Sequence, residues 1–175
     1  MKQLIPILGL NVLWFACVLG AANNIMWPAI LILGALLLWA FTHEEAKSYT
    51  AILVVFSLVC GTLFDGFLVF TGWVEYQQVW QQFSHLPPVW ILMLWAGFGA
   101  LVVPAMQWLM ERPRVGLPLM AIGAPLSYVS AAKLGAITIQ DHPAALLFIA
   151  VTWLLYFAAV IYGYNRQETQ NHALA

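Results

Sequence analysis

Six long apolar stretches, separated by short polar breaks, make up most of the chain. They fall at residues 4–22, 25–42, 49–70, 88–110, 116–139 and 144–164. Each is close to the length of about 20 residues that carries a helix across a bilayer. The runs are continuous rather than alternating, which predicts helices and not the strands of a membrane barrel. The pattern therefore predicts an all-α polytopic membrane protein of six transmembrane helices, built as a single domain over residues 1–175.

The breaks are informative in their own right. Asn23-Asn24 allows a tight hairpin between the first two spans. Pro28, Pro87-Pro88 and Pro143 mark helix entries, where a residue without an N–H costs no intrahelical bond. Pro104 and Pro125 fall inside spans and predict kinks, whose freed carbonyls need other partners. Residues 72–86 form the longest break. Within it Trp73, Tyr76, Val79, Trp80, Phe83 and Leu86 recur at spacings of three and four, with glutamines between them. That spacing predicts a short amphipathic helix lying at the outer interface between spans three and four, either a membrane-hugging connector or a lid over a lateral opening.

Composition agrees with the pattern. The chain is 63% hydrophobic and 7% charged, against about 25% charged residues in a soluble domain. A chain of 175 residues has too little interior to hide so much apolar surface from water. A net charge of −1 gives no reason to expect nucleic acid as a partner. Cys17 and Cys60 lie in apolar spans without CxxC spacing, and His85 and His142 stand apart, so no metal site or cofactor is expected.

The few basic residues set the orientation. Lys2, Lys47, the pair Arg112 and Arg114, and Arg166 all fall on one side of a six-span arrangement, while the opposite loops hold neither Lys nor Arg. By the positive-inside rule that side is cytoplasmic and both termini lie inside. The first span follows Lys2 and ends in small residues, as a leader would. Its apolar run exceeds the 7–15 residues of a leader, so it reads as a retained helix.

Two ionisable residues, Asp65 and Lys133, sit within the apolar spans. A charge in hydrocarbon costs about 2.5–3.5 kcal/mol on insertion scales, so each needs a partner or a purpose. At 1.5 Å per residue, Asp65 lies about 7 Å and Lys133 about 9 Å below the outer ends of their spans. Three arrangements fit: an ion pair stitching two helices, a site that binds a polar head group or moves protons, or two independent groups. Lys133 could snorkel outward on its long stem, whereas Asp65 cannot reach as far. Ser127, Tyr128 and Ser130 on the fifth span add polar groups. Asn11 on the first span suits a hydrogen bond between helices. Gly61 and Thr62 share the face of Asp65. Ala131 and Gly135 have the spacing that lets helices approach closely. Glu75, His85, Asp141 and His142 in the outer loops read as solvated groups.

Four segments together resemble a known family. They are residues 14–22 (WFACVLGAA), Asp65 followed by Gly72, Leu86-Pro87-Pro88 with Trp90-Ile91 and Leu94-Trp95, and Ala124-Pro125-Leu126-Ser127-Tyr128 followed by Lys133-Leu134-Gly135-Ala136. The combination resembles a bacterial inner-membrane family catalogued only as a domain of unknown function. The resemblance implies a six-span protein often encoded near fatty-acid-modifying enzymes, including cyclopropane-type lipid methyltransferases. It implies no established activity. It strengthens Asp65 more than Lys133 and adds Trp95 as a candidate contact.

The resulting expectation is a multi-pass protein of the bacterial inner membrane that binds, or helps to modify, a lipid or small amphiphile near the outer leaflet. Asp65, Lys133, Tyr128, Ser127, Ser130, Asn11 and Trp95 are the candidate ligand contacts, with Asp65 and Lys133 the candidates for any chemistry. A proton-coupled transporter and a scaffold for a lipid-modifying partner enzyme are the competing expectations. Nothing in the sequence fixes whether copies of the chain associate.

Overall fold

A computed structural model describes residues 4–43, 47–77 and 86–174, the last five of these as backbone only. Six helices follow in order: α1 (Leu4–Asn23), α2 (Trp27–His43), α3 (Lys47–Phe70), α4 (Val89–Met110), α5 (Pro113–Lys133) and α6 (His142–Leu174). Two short strands interrupt them, β1 (Val74–Tyr76) before α4 and β2 (Ile137–Ile139) before α6. Five helices are long and apolar enough to cross a membrane, and α2 is a shorter apolar helix of 17 residues. At 1.5 Å per residue α2 reaches about 26 Å, slightly less than the roughly 30 Å of a hydrocarbon core.

The helices carry apolar residues all round. Leu31, Leu38, Ile52, Leu63, Leu147 and Leu155 point outward with more than half of their surface uncovered. A helix apolar on every face suits a lipid surround better than water. α4 lies at the centre, half of its span buried against 22–39% for the other four long helices. It packs on α1, α2 and α3, while α5 packs chiefly on α6 and touches α4 sparingly. A wedge therefore opens between α1, α4 and α5.

Helix ends follow local chemistry. α1 stops at a Schellman turn. Asn24 adopts a left-handed φ of 60°, and Ile25 N–H bonds back to the Gly20 carbonyl at 2.8 Å. Asparagine tolerates that conformation better than most residues, so the Asn-Asn hairpin forms as the sequence predicts. At the start of α6, Asp141 Oδ1 accepts the Ala144 N–H at 3.2 Å, capping the helix. Its role is thus structural.

The fifth helix departs from the sequence reading. It ends at Lys133, not at Ile139. Gly135 takes a φ of +82°, the Ala136 N–H bonds to the Ala131 carbonyl, and the Gly135 N–H bonds to that of Ala132 (both 3.0 Å). This Schellman turn breaks a run that composition alone extends. Gly135 therefore terminates the helix and is not half of a small-residue packing stripe. Beyond it β2 pairs antiparallel with β1, Val74 opposite Ile139 and Tyr76 opposite Ile137. Flanking bonds run from Gln77 N–H to Ala136 O and from Gln140 N–H to Trp73 O, at 2.9 and 2.8 Å.

The ribbon also corrects the amphipathic helix expected over residues 72–86. Its first described part is extended: Val74 and Tyr76 are buried and Glu75 faces out, a period of two rather than 3.6. Residues 78–85 of that expected helix lie outside the described residues. Pairing the two connections satisfies backbone groups that a bilayer could not. It also aims Tyr76 at the helices beneath.

Candidate functional site

Asp65 is completely buried, and three side chains from three different elements converge on it. Tyr76 of β1 donates its hydroxyl to Oδ1 at 2.6 Å. Tyr128 of α5 donates to the same oxygen at 2.5 Å. The Trp95 indole of α4 donates its N–H to Oδ2 at 2.7 Å. A buried carboxylate is tolerated when its lone pairs are taken up in this way. Burial first, and the adjoining Asp65 charge second, hold the Tyr76 phenol well above its ordinary pKa, so it remains a hydrogen-bond donor at neutral pH.

Each donor is placed by its own surroundings. Tyr76 points inward because the strand alternates. Trp95 lies flat across Gly61, one turn before Asp65 on α3. A Cβ at Gly61 would come within 2.2 Å of the indole Cδ1. Trp95 also stacks on Trp153 of α6, ring centres 4.7 Å apart and planes 21° apart. Trp90 donates its indole N–H to the Gln77 carbonyl at 2.9 Å, fixing the strand end to α4.

A cavity of about 510 Å³ fills the wedge between α1, α4 and α5. Tyr76, Trp95 and Tyr128 line it, and Asp65 stands behind them without lining it. The walls are mainly apolar and aromatic, and no charged side chain among the described residues reaches them. Cavity residues on α4 run from Trp90 to Met106, a rise of about 24 Å at 1.5 Å per residue. Hydroxyls gather toward the β-ribbon end, at Tyr76, Tyr128, Ser127 and Ser130. Leu10, Met106 and Met120 close the opposite end, with the Asn11 amide beside them. Asn11, Phe15, Gly123, Leu126 and Ser130 line the cavity yet are exposed on α1 and α5, so the wedge opens sideways between those helices.

The seven residues singled out from sequence separate cleanly. Asn11, Trp95, Ser127, Tyr128 and Ser130 line the cavity. Asp65 does not, so its reach is through Tyr76, Tyr128 and Trp95. Lys133 is exposed at the last position of α5 and makes no ion pair among the described residues, where Arg112 meets Glu111 at 3.9 Å. The depth assigned to Lys133 from sequence assumed six further helical residues, and the Gly135 turn removes them. Asn11 bonds within its own helix, Nδ2 to Ile7 O at 2.8 Å, instead of bridging to a neighbour. A spare carbonyl four residues back on the same helix satisfies it locally. Ser130 does the same with Leu126 O at 2.8 Å. Tyr76, Trp90 and Trp153 were missed as site residues. The alternating Val-Glu-Tyr and Ile-Thr-Ile triplets were the available signal for Tyr76.

The described residues contain no cluster of His, Cys, Asp and Glu able to hold a metal ion. The family model described as "Protein of unknown function (DUF2878)" matches residues 3–159. The chain belongs to that DUF2878 family. Neither the curated proteins nor the solved structures give a match. The DUF2878 match covers every residue of the Asp65 cluster and every cavity-lining residue, and stops within α6.

Proposed function

We propose that this DUF2878 protein binds a small amphiphile or lipid in the wedge between α1, α4 and α5. The carrying observation is the polarity gradient of one elongated cavity. Hydroxyl groups collect at its β-ribbon end, while apolar side chains close the other beside the single amide of Asn11, itself bonded within α1, as an amphiphile's head and tail require. The sideways opening supports entry from the surrounding lipid. In this reading all six helices span a bacterial inner membrane, the short α2 being accommodated by local thinning. Both termini lie on the cytoplasmic side, where the basic residues gather, and the β-ribbon faces outward. The ligand's head then sits near the outer leaflet.

The test uses the full chain, gently purified, with native mass spectrometry and identification of bound lipids. Gly123 lines the cavity, and a Cβ placed there meets nothing within 4 Å. Gly123 is also exposed at the side opening, so Gly123→Trp sets a bulky ring in that opening without forcing the helix. The wild type is expected to retain a discrete amphiphile out of proportion to the bulk lipid, and Gly123→Trp to lose it while unfolding at a similar temperature. A wild-type lipid profile equal to the bulk, or one unchanged by Gly123→Trp, overturns the proposal.

A further inference from the structure

We infer that the polar end of the cavity selects a hydrogen-bond donor, and specifically a protonated amine carried on an apolar body. This inference rests on the amphiphile-binding reading and specifies the head group.

The argument begins with where the protons point. Tyr76 and Tyr128 both spend their O–H on Asp65. A phenol whose proton is committed keeps only acceptor lone pairs. The Trp95 N–H is committed to the same carboxylate, the Trp90 N–H to Gln77 O, and the Ser130 O–H to Leu126 O. The lining groups nearest the β-ribbon have therefore surrendered their protons, with Ser127 able to act in either sense. The Trp153 indole, also in the wall, turns its N–H on the Tyr128 hydroxyl, so a ligand that reaches the two phenols meets acceptors, Tyr76 the freer of the two.

Charge narrows the choice among donors. Asp65 stands directly behind both phenols, and no cation pairs with it among the described residues. No charged side chain among the described residues lines the cavity. A carboxylate or phosphate would face lone pairs backed by a negative charge. A hydroxyl would be accepted but would gain little from that charge. An ammonium would donate to the phenols and be drawn to the carboxylate behind them. Trp14, Trp90, Trp95 and Trp153 add aromatic faces to the same cavity, and ring faces attract cations. Asp65 thus acts as a positioning residue: it fixes which way the phenol protons point.

The same chemistry could come from a lipid head group or from a free amphiphilic amine. The experiment titrates dodecylamine, dodecanol and dodecanoate, each below its micellar concentration, into the full chain in maltoside micelles. Intrinsic tryptophan fluorescence reports occupancy, and Gly123→Phe, with its ring in the side opening, is the blank. Dodecylamine is expected to bind about tenfold tighter than dodecanol, with dodecanoate weakest. If no probe gives a saturable signal above the blank, both this inference and the amphiphile-binding reading fall. If dodecanol or dodecanoate binds as tightly as dodecylamine, the amine assignment falls and the cavity reading stands.

That comparison needs no variant at the carboxylate. Asp65→Asn adds a sharper one. The amide oxygen must serve the indole, which can only donate, leaving the amide NH2 against the phenols. Both phenols then accept from Asn and turn their protons into the cavity. The preference for dodecylamine over dodecanoate is expected to vanish or reverse. An unchanged preference in a folded Asp65→Asn protein overturns the inference. Adding phosphatidylethanolamine to the wild type then separates the sources. Competition with dodecylamine assigns the site to a lipid head group, and its absence to a free amine.

Discussion

α3 carries two fully buried polar residues, Ser57 and Asp65, eight positions apart. Ser57 meets the Tyr156 hydroxyl at 2.6 Å and its own Leu53 carbonyl, also at 2.6 Å. Asp65 meets three side chains from α4, α5 and β1. The larger difference lies beyond those partners. Tyr156 does not line the cavity, whereas all three partners of Asp65 do. One polar contact ties α3 to α6 inside packed protein. The other holds a cavity wall in place. Burial and hydrogen bonding do not distinguish the two roles; what stands on the far side of the partner does.

The comparison is broken most strongly by Asp65→Ala. It strands two buried donors, Tyr76 and Trp95, and the half-buried Tyr128, and stranded donors cost more than the bonds they lose. A loss of about 3–4 kcal/mol is expected in unfolding by SDS titration. A loss below about 1 kcal/mol, within the range of an ordinary interhelical hydrogen bond in a membrane, would show that the cluster does not organise the fold. Gly61→Ala comes next. Its methyl group would lie 2.2 Å from the Trp95 ring, and overpacking of this kind costs about 1–3 kcal/mol. The displaced indole also leaves Asp65 and Trp153. Altered tryptophan fluorescence and weaker ligand binding should accompany the lost stability.

The sequence displayed Asp65 openly because a carboxylate inside an apolar span stands out from its neighbours. It hid the reason for Asp65. The partner expected from charge was Lys133, yet the actual partners are two phenols and an indole, which an apolar background conceals. Six apolar helices were legible, as were the Asn23-Asn24 turn and five of the cavity residues. The end of α5 was not, since Ala136 to Ile139 extend the apolar run and Gly135 acts through a left-handed turn that composition does not reveal. The β-ribbon was illegible for a related reason. Its strands are three residues each and pair 60-odd positions apart, while aromatic spacing in the same segment imitates a helix.

Ser57→Ala and Tyr156→Phe sharpen the contrast at a smaller scale. Each should cost about 1 kcal/mol by removing one buried hydrogen bond. Neither should change the ligand preference, since neither residue touches the cavity. Asp65→Asn, by contrast, should alter that preference while costing no more stability than these two. If Ser57→Ala shifts ligand selectivity as Asp65→Asn does, the division between a tie and a wall collapses, and α3 acts as one polar unit along its length.

The smallest effect is expected at Lys133, where the sequence and the structure disagree most. An exposed lysine in the last turn of α5 interacts favourably with the helix dipole there and holds no described acid. Lys133→Gln should therefore change stability by no more than about 0.5 kcal/mol and leave amine binding intact. The comparison with Tyr76→Phe decides the matter, because that variant removes an acceptor from the cavity wall. Should Lys133→Gln weaken dodecylamine binding as much as Tyr76→Phe does, the ammonium and the Asp65 carboxylate would be working together after all, in an arrangement where the end of α5 rewinds past Gly135. Intact binding would leave Asp65, without Lys133, as the charge that sets the character of the site.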